Sequence, residues 1–331
     1  MSEARSSPGA AGGRAGGEEP SPAAIGDPGG AAPGAAPARL YDSVVVSYNQ
    51  RDRLLAALAS VRAASPSARL IVVDNASSDG SVTAARAAFP GADIVALPRN
   101  IGFGAAANLG VARGAAPYVL LLNNDARLRP DALLHLRRAL ALPGVVAAGP
   151  RILDEAGFPE LSVDRTLSPI NEARFKLIES LYRHGRGPTA GFMRRRMARS
   201  REVRSLSGAC ILMRRDAFER VGGFDERFFL YAEDVDLCVR WRRAGDRLRY
   251  AADAVVEHDR GASAAVAAGA SALHYRRSQI GYYRKHHGAL ASAALRAYLA
   301  LRFALKRLLG RRRQRKLAGE LLRLTLRETG G

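Results

Sequence analysis

The chain has 331 residues and a formal net charge of +20, with Arg outnumbering Lys 47 to 4. That length suits one large α/β domain with additions, and a balance this basic requires an anionic partner: nucleic acid, acidic lipid or phosphorylated substrate. Its two cysteines, Cys210 and Cys238, lack metal-type spacing and read as core thiols in a reducing compartment, and no continuous hydrophobic region marks a secretory signal.

Residues 1–38 are Ala, Gly, Pro, Ser and scattered charge, with Ile25 the one large apolar residue after Met1. They cannot bury enough surface to offset the entropy of ordering, so a disordered tail is expected. From there strands and helices alternate. Strands are predicted over 43–47, 70–73, 93–97 and 118–122. The helices between them start near Asp52, Val82 and Asn100, a pattern of βαβ units in a mainly parallel sheet. The first, second and fourth strands end in polar groups: Ser47-Tyr48-Asn49, Asp74-Asn75 and Asn123-Asn124-Asp125. Repetition of that ending places all three at the carboxyl edge, where ligands bind in such sheets.

A helix is expected over 130–142 and a strand over 145–148. Residues 151–204 then lose periodicity and carry Arg194, Arg195, Arg196, Arg199, Arg201 and Arg204, the pattern of a long mobile excursion over the site. Pattern returns with a strand over 207–213, a helix over 216–221, an aromatic loop holding Phe229 and Tyr231, and a helix that begins at Glu233 and Asp234. Short strands over 247–250 and 254–257 lead to His258.

Several positions have two readings. Asp125 beside Asn123 and Asn124 offers hard oxygen ligands for Mg²⁺ or Mn²⁺ on a diphosphate, or else a turn before the next helix. Asp74 is a hydrogen-bond acceptor for a base or a turn cap. Gly102 and Gly104 let backbone approach a phosphate, but the further spacing of a dinucleotide fingerprint is absent. Glu233, Asp234 and Asp236 form either a general base with a raised pKa or a charged first turn; helix geometry points Glu233 and Asp236 one way and Asp234 another. His258 is structural or a second metal ligand.

These segments, taken together and in order, resemble the family 2 glycosyltransferases, and within them the rhamnosyltransferase-like branch. The resemblance rests on Val44-Val-Val-Ser-Tyr48-Asn49, Ile71-Val-Val-Asp74 through Ser81, Asn100-Ile-Gly102-Phe-Gly104 through Asn108, Leu121-Leu-Asn123-Asn-Asp125, Leu206-Ser-Gly-Ala-Cys210, and Gly222-Gly-Phe-Asp225 through Asp236. It covers about 42–260. It implies the GT-A fold over 39–262, a nucleotide-sugar donor with dTDP-rhamnose first and UDP-sugars next, a divalent metal, and inversion at the anomeric carbon. By the same resemblance, Asp234 matches the catalytic base, and Asp125 and His258 the metal ligands. Ser47, Tyr48, Asn49, Asp74, Asn100, Gly102, Asn108, Asn123 and Asn124 belong to the nucleotide pocket. Glu233, Asp236, Phe229 and Tyr231 belong to the acceptor side. Asn123 stands where the metal motif has its first acid, one charge fewer for the metal. The Q-x-x-R-W pattern of processive members is not found after Asp234, which implies few sugars added per encounter. A nucleotidylyltransferase would want a glycine-rich signature where Ser47-Tyr48-Asn49-Gln50 stands, and a basic scaffold has no need of this set of acids.

From Arg276 to the last residue the chain holds fifteen Lys and Arg against two Glu, without a recognised nucleic-acid motif. Leu301, Leu305 and Leu308 recur at helical spacing, with Arg296, Lys306 and Arg307 mostly on another side, while Leu299 and Phe303 blur the division. Arg296 and Arg302 within 289–309 disfavour a span, at roughly 2.5 to 3.5 kcal/mol each in mid-membrane. The expectation over 263–331 is therefore a basic helical region lying in an anionic membrane surface, on the inner face of the cell membrane, near a glycan or polyprenyl-diphosphate-linked acceptor.

Overall fold

The computed structural model describes residues 39–183, 187–259 and 268–327, so the expected tail over 1–38 and the boundary near 262 lie outside the described residues. β1 (Tyr41–Ser47), β2 (Arg69–Asp74), β3 (Asp93–Ala96) and β4 (Tyr118–Asn123) pair in parallel in the order β3-β2-β1-β4. They are joined by α1 (Arg51–Ala64), α2 (Ser81–Ala88) and α3 (Phe103–Ala112). Every residue of β1 is buried, as an unbroken apolar run covered on both faces requires. Val44 and Val46 share one core with Ala107 and Val111 of α3; Val45 shares the other with Leu54 and Leu58 of α1. At Gly110 of α3 a Cβ would stand 2.4 Å from Val44 Cγ1, so only glycine lets that helix lie this close to β1.

The strand tips come together as the sequence predicts. Ser47 lies opposite Asp74, and Val46 opposite Asn123. The order turns back at β1, with β2 on one side and β4 on the other, which opens a crevice at this edge.

The second half of the sheet is mixed. It consists of β5 (Ala126–Leu128), β6 (Val145–Leu153), β7 (Arg201–Val203), β8 (Cys210–Arg214) and β9 (Arg247–His258), with α4 (Ala132–Leu140) packed against it. β8 enters antiparallel between β4 and β6, and β6 pairs β9 in parallel. β5 and β7 add antiparallel to β9. The two short strands expected near 250 are one strand, β9, with a register shift against β6 between Pro150 and Arg151. α7 (Arg215–Arg220) and α8 (Glu233–Arg243) follow β8. Arg215 is buried against Asp42 at 2.7 Å, and its other nitrogens donate to the carbonyls of Ala116 and Val111, so this charge pair is fully hydrogen-bonded. Both cysteines are free and buried.

Residues 151–204 are not aperiodic: they hold α5 (Pro169–Arg183) and α6 (Gly187–Met197). Phe175 and Ile178 pack on the core while Ile170 and Leu177 are 77% and 61% exposed, so apolar residues surround α5 and its period is hidden. The C-terminal region forms α9 (Ala268–His286), α10 (Gly288–Leu309) and α11 (Arg312–Arg327). α10 has two apolar faces. Leu295, Leu299 and Phe303 are buried with Ile280 of α9 and Leu321 of α11, while Leu301, Leu305 and Leu308 are 63%, 47% and 70% exposed. Arg296 does not join the outer cations, because its guanidinium donates to the Thr325 carbonyl at 3.0 Å. Among the described residues α10 is long and apolar enough to cross a membrane.

Candidate active site

At the crevice, the backbone following β1 is held in an unusual shape. Asn49 and Gln50 both have positive φ, 58° and 64°. The Asn49 amide donates to Ser77 Oγ at 2.6 Å, and Asn49 Oδ1 accepts from the Ser78 amide at 3.0 Å. Asn124 donates to the Asn49 carbonyl at 3.0 Å and reaches Ser47 Oγ at 3.5 Å, tying the β4 tip to the β1 tip. Tyr48 projects outward, 52% exposed. Asp74 is buried, and both its oxygens accept from Ser77, through the backbone amide at 2.8 Å and the hydroxyl. Asp74 thus caps the turn that follows β2. Its neighbour Asn75, given no role from the sequence, joins two segments: its side chain donates to the Gly102 carbonyl at 3.2 Å and accepts from the Ile101 amide at 3.2 Å.

Asn100 accepts from the Gly102 amide at 2.9 Å and so shapes the entry to α3. Gly102 has φ +92°, and a Cβ there would lie 2.5 Å from the Phe229 carbonyl oxygen, which accepts from the Phe103 amide at 2.9 Å. Asn108, assigned to the nucleotide pocket by resemblance, is bonded to the loop before α8. Its side chain accepts from the Phe224 amide at 2.8 Å and donates to the Phe224 carbonyl at 2.9 Å and to Glu226 at 3.0 Å, clamping the loop before α8. The Phe229 ring stacks on His274 with centroids 4.7 Å apart, and Tyr231 packs edge-on against Tyr275.

At the tip of β4, Asp125 and His258 meet. Pairing of Ala126 opposite His258 brings β5 alongside β9, and Asp125 Oδ1 then stands 3.1 Å from His258 Nε2. On the other ring nitrogen, His258 Nδ1 is 3.5 Å from Oε1 of Glu160, a buried residue with no sequence signal. Burial opposes the imidazolium, but the two carboxylates outweigh it and push the His258 pKa up to about 9. Asn123 Oδ1, two residues before Asp125 in the chain, is buried without a hydrogen-bond partner. A carboxylate, an imidazole backed by a second carboxylate and an orphaned amide oxygen fit a divalent cation. Among the described residues no three His, Cys, Asp or Glu side chains gather as a metal site, so oxygens of a bound substrate would have to complete the set.

The acids of α8 divide differently from the expectation. Glu233 and Asp234 both line a cavity of about 1150 Å³ that lies between α8 and residues 161–206. Asp234 is half-buried and oriented, its Oδ2 accepting from the Gly208 amide at 2.9 Å and its Oδ1 from the Val235 amide at 2.8 Å. Glu233 is buried, with Oε2 lacking a partner, and burial together with the Asp234 charge raises its pKa well above the usual carboxylate range. Asp236 points the other way and is not on the acceptor side. It is fully buried between Arg240 at 2.8 Å, Lys285 at 2.6 Å and His286 at 2.7 Å. The sequence could not show this, because two of those partners, Lys285 and His286, lie about fifty residues further on, in α9. Tyr231 lines the same cavity as Asp234.

Comparisons with known proteins agree with this architecture. Residues 43–222 match the family model described as Glycosyl transferase family 2. Over 299 residues the chain is 33% identical to the N-acetylglucosaminyl-diphospho-decaprenol L-rhamnosyltransferase of Mycobacterium tuberculosis, covering 83% of this chain and 96% of that protein. Among solved structures it is similar to a Pyrobaculum calidifontis mannosyltransferase in complex with GDP-Man and Mn²⁺, with TM-score 0.51 and 17% identity over 87% and 86% of the two chains. GalNAc-T7 with UDP, GalNAc and Mn²⁺ gives TM-score 0.53 and 13% identity over 85% of this chain and 54% of that one. These likenesses show the GT-A fold. The family match, the long rhamnosyltransferase alignment and the shared fold together establish that this chain belongs to glycosyl transferase family 2.

Proposed function

We propose that this glycosyltransferase moves rhamnose from dTDP-rhamnose to a hydroxyl of a polyprenyl-diphosphate-linked glycan, with inversion, one or a few sugars per encounter. The observation that carries this reading is Asp234, held by two backbone amides on the wall of a large cavity. The similarity to a rhamnosyltransferase named for a lipid-linked acceptor supports the substrate pair.

In the mechanism, Asp234 accepts the proton of the acceptor hydroxyl as that oxygen attacks the anomeric carbon and the nucleoside diphosphate leaves from the opposite face. The two amides fix the carboxylate so that no reorganisation is needed during transfer. The tips of β1, β2 and β4 receive the nucleotide, with the Asn49, Ser77 and Asn124 network setting the shape of the floor. Asp125 and His258 would hold Mg²⁺ or Mn²⁺, which when bound supplies charge stabilisation to the departing diphosphate. Burial and the Asp234 charge raise the pKa of Glu233, which favours the uncharged carboxyl beside Asp234.

The enzyme works, on this reading, at the inner face of the cell membrane. The exposed leucines of α10 lie among Arg302, Lys306 and Arg307, a mixture that suits the boundary between acyl chains and anionic headgroups. The decisive experiment incubates the protein with a panel of nucleotide sugars, Mg²⁺ or Mn²⁺ and a prenyl-diphosphate-linked N-acetylglucosamine. Release of dTDP with a new glycosidic bond is expected. Release of nucleotide from no donor in the panel would sink the reading.

A further inference from the structure

The segment leading into β8 runs alongside α8 with a fixed register. The Gly208 amide meets Asp234, and two residues back the Leu206 amide meets Cys238 Sγ at 3.4 Å. Two residues of extended chain thus match four residues of helix. The same step taken again would set Arg204 opposite Arg242, with the Arg204 amide itself turned to Asp164. The dimensions agree: four extended residues cover about 13 Å, and eight helical residues rise about 12 Å. Both arginines line the cavity that Asp234 lines.

Three of the other cations around the cavity are already paired. Asp164 takes Arg196 at 3.2 Å and Arg201 at 3.6 Å, and its second oxygen accepts the backbone amide of Arg204, not its side chain. Arg276 is paired with Glu172 at 2.8 Å. On α8, Arg240 is turned to Asp236. Arg204 and Arg242 have no carboxylate partner among the described residues, and neither have Arg165, Arg174 and Lys176 of the same cavity; of these, Arg204 and Arg242 are the two that the register, extended by one step, pairs. Two like charges gathered without a counter-charge are unfavourable until an anion sits between them, and paired guanidiniums suit the oxygens of a diphosphate.

Resting on the reading of Asp234 as the base, we infer that Arg204 and Arg242 form the clamp for the diphosphate of a prenyl-linked acceptor. The attacking hydroxyl lies at Asp234, and the clamp lies further along α8 by about the space that a sugar ring and the arginine side chains fill. The first isoprene units then meet the apolar wall of the same cavity, where Phe175, Phe192 and Met193 stand. This site is separate from the donor diphosphate, which belongs at the β4 tip with Asp125 and His258.

Calorimetric titration of the full chain with farnesyl diphosphate, in chelator so that no donor-site metal contributes, reads the clamp without turnover. Arg204→Gln and Arg242→Gln are each expected to weaken binding about tenfold, corresponding to about 1.4 kcal/mol, with lysine at either position recovering part of the loss. Inorganic pyrophosphate should bind more weakly than farnesyl diphosphate, because it lacks the apolar part, and farnesol should not respond to either substitution. Binding of dTDP with Mn²⁺ should be unchanged in both variants, which also shows that they fold. Wild-type protein that fails to bind farnesyl diphosphate, or variants that bind it equally well, would overturn the clamp. The functional reading is tested apart from this. If the clamp variants lose farnesyl diphosphate but no nucleotide sugar supports transfer, the clamp stands and the assigned reaction falls. If rhamnose is transferred and both variants keep the wild-type KM for the lipid-linked acceptor, the clamp alone is wrong.

Discussion

The Gly208 amide donates to Asp234 Oδ2 at 2.9 Å, so the loop into β8 sets the orientation of the proposed base. Asp234→Asn keeps the shape and removes the basicity. Transfer should fall by roughly 10² to 10⁴, the range expected for loss of a general base, while donor affinity stays within a few-fold because the base acts on the acceptor. Steady-state rates with equilibrium titration of the donor separate the two, and full activity in this variant would remove Asp234 from the mechanism.

Asp236, two residues on, should behave in the opposite manner. Removing its carboxylate leaves His286 and Lys285 facing an uncompensated buried site, which costs about 3 to 5 kcal/mol in comparable cases. Asp236→Ala is therefore expected to unfold at much lower denaturant concentration. Normal stability with lost transfer would instead return Asp236 to the acceptor side.

Asp125→Ala should weaken donor binding mainly when Mg²⁺ or Mn²⁺ is present. The comparison is donor affinity with metal and with chelator, in wild type and variant. An equal loss under both conditions would mean that Asp125 serves only to hold His258.

Glu233 gives the protein a pH-dependent stability term of definite sign. Its folded pKa lies above the ordinary value of 4.5, so the folded state retains a proton that the unfolded chain has lost. Stability from this group is fully present below that ordinary value and declines as pH rises toward the folded pKa. Glu233→Gln should flatten that decline, and chemical denaturation across pH 4 to about 9 would reveal it. Parallel curves for wild type and variant would contradict the assignment.

Leu305→Asp on α10 should reduce binding to anionic vesicles without lowering the melting temperature, because Leu305 is 47% exposed whereas its neighbour Phe303 is buried. Wild-type binding should fall as salt rises. Salt-independent binding, or retention of the variant on vesicles, would argue against this face.

The sequence revealed most where the local pattern and the fold agree. The unbroken apolar runs of β1, β2 and β4, each ending in polar residues, placed Ser47, Asp74 and Asn123 at one edge correctly. It was least informative where a contact joins distant segments. Three residues of β5 are too few to show a period, yet their pairing with β9 brings Asp125 to His258. Glu160 reaches the same histidine from a stretch with no regular structure. Adjacent acids in α8 looked equivalent, and Lys285 and His286 in α9 made Asp236 structural. α10 looked only moderately amphipathic because it has two apolar faces, one covered by α9 and α11 and one open.

The position of β8 also constrains how the chain can fold. Among the described residues β6 touches the rest of the sheet only through β8 and β9, which follow it by more than fifty residues. During synthesis, β1 to β4 can assemble from contacts made early and mostly in sequence order. β6 has no sheet partner until residues 210–214 emerge and fill the place between it and β4. The half of the sheet that carries the nucleotide crevice can therefore form first, and the half that supplies His258 can close only afterwards, across long loops whose entropy slows the step. The Arg215 to Asp42 pair, which joins α7 to the start of β1, can form only once that β8 closure has brought the two together.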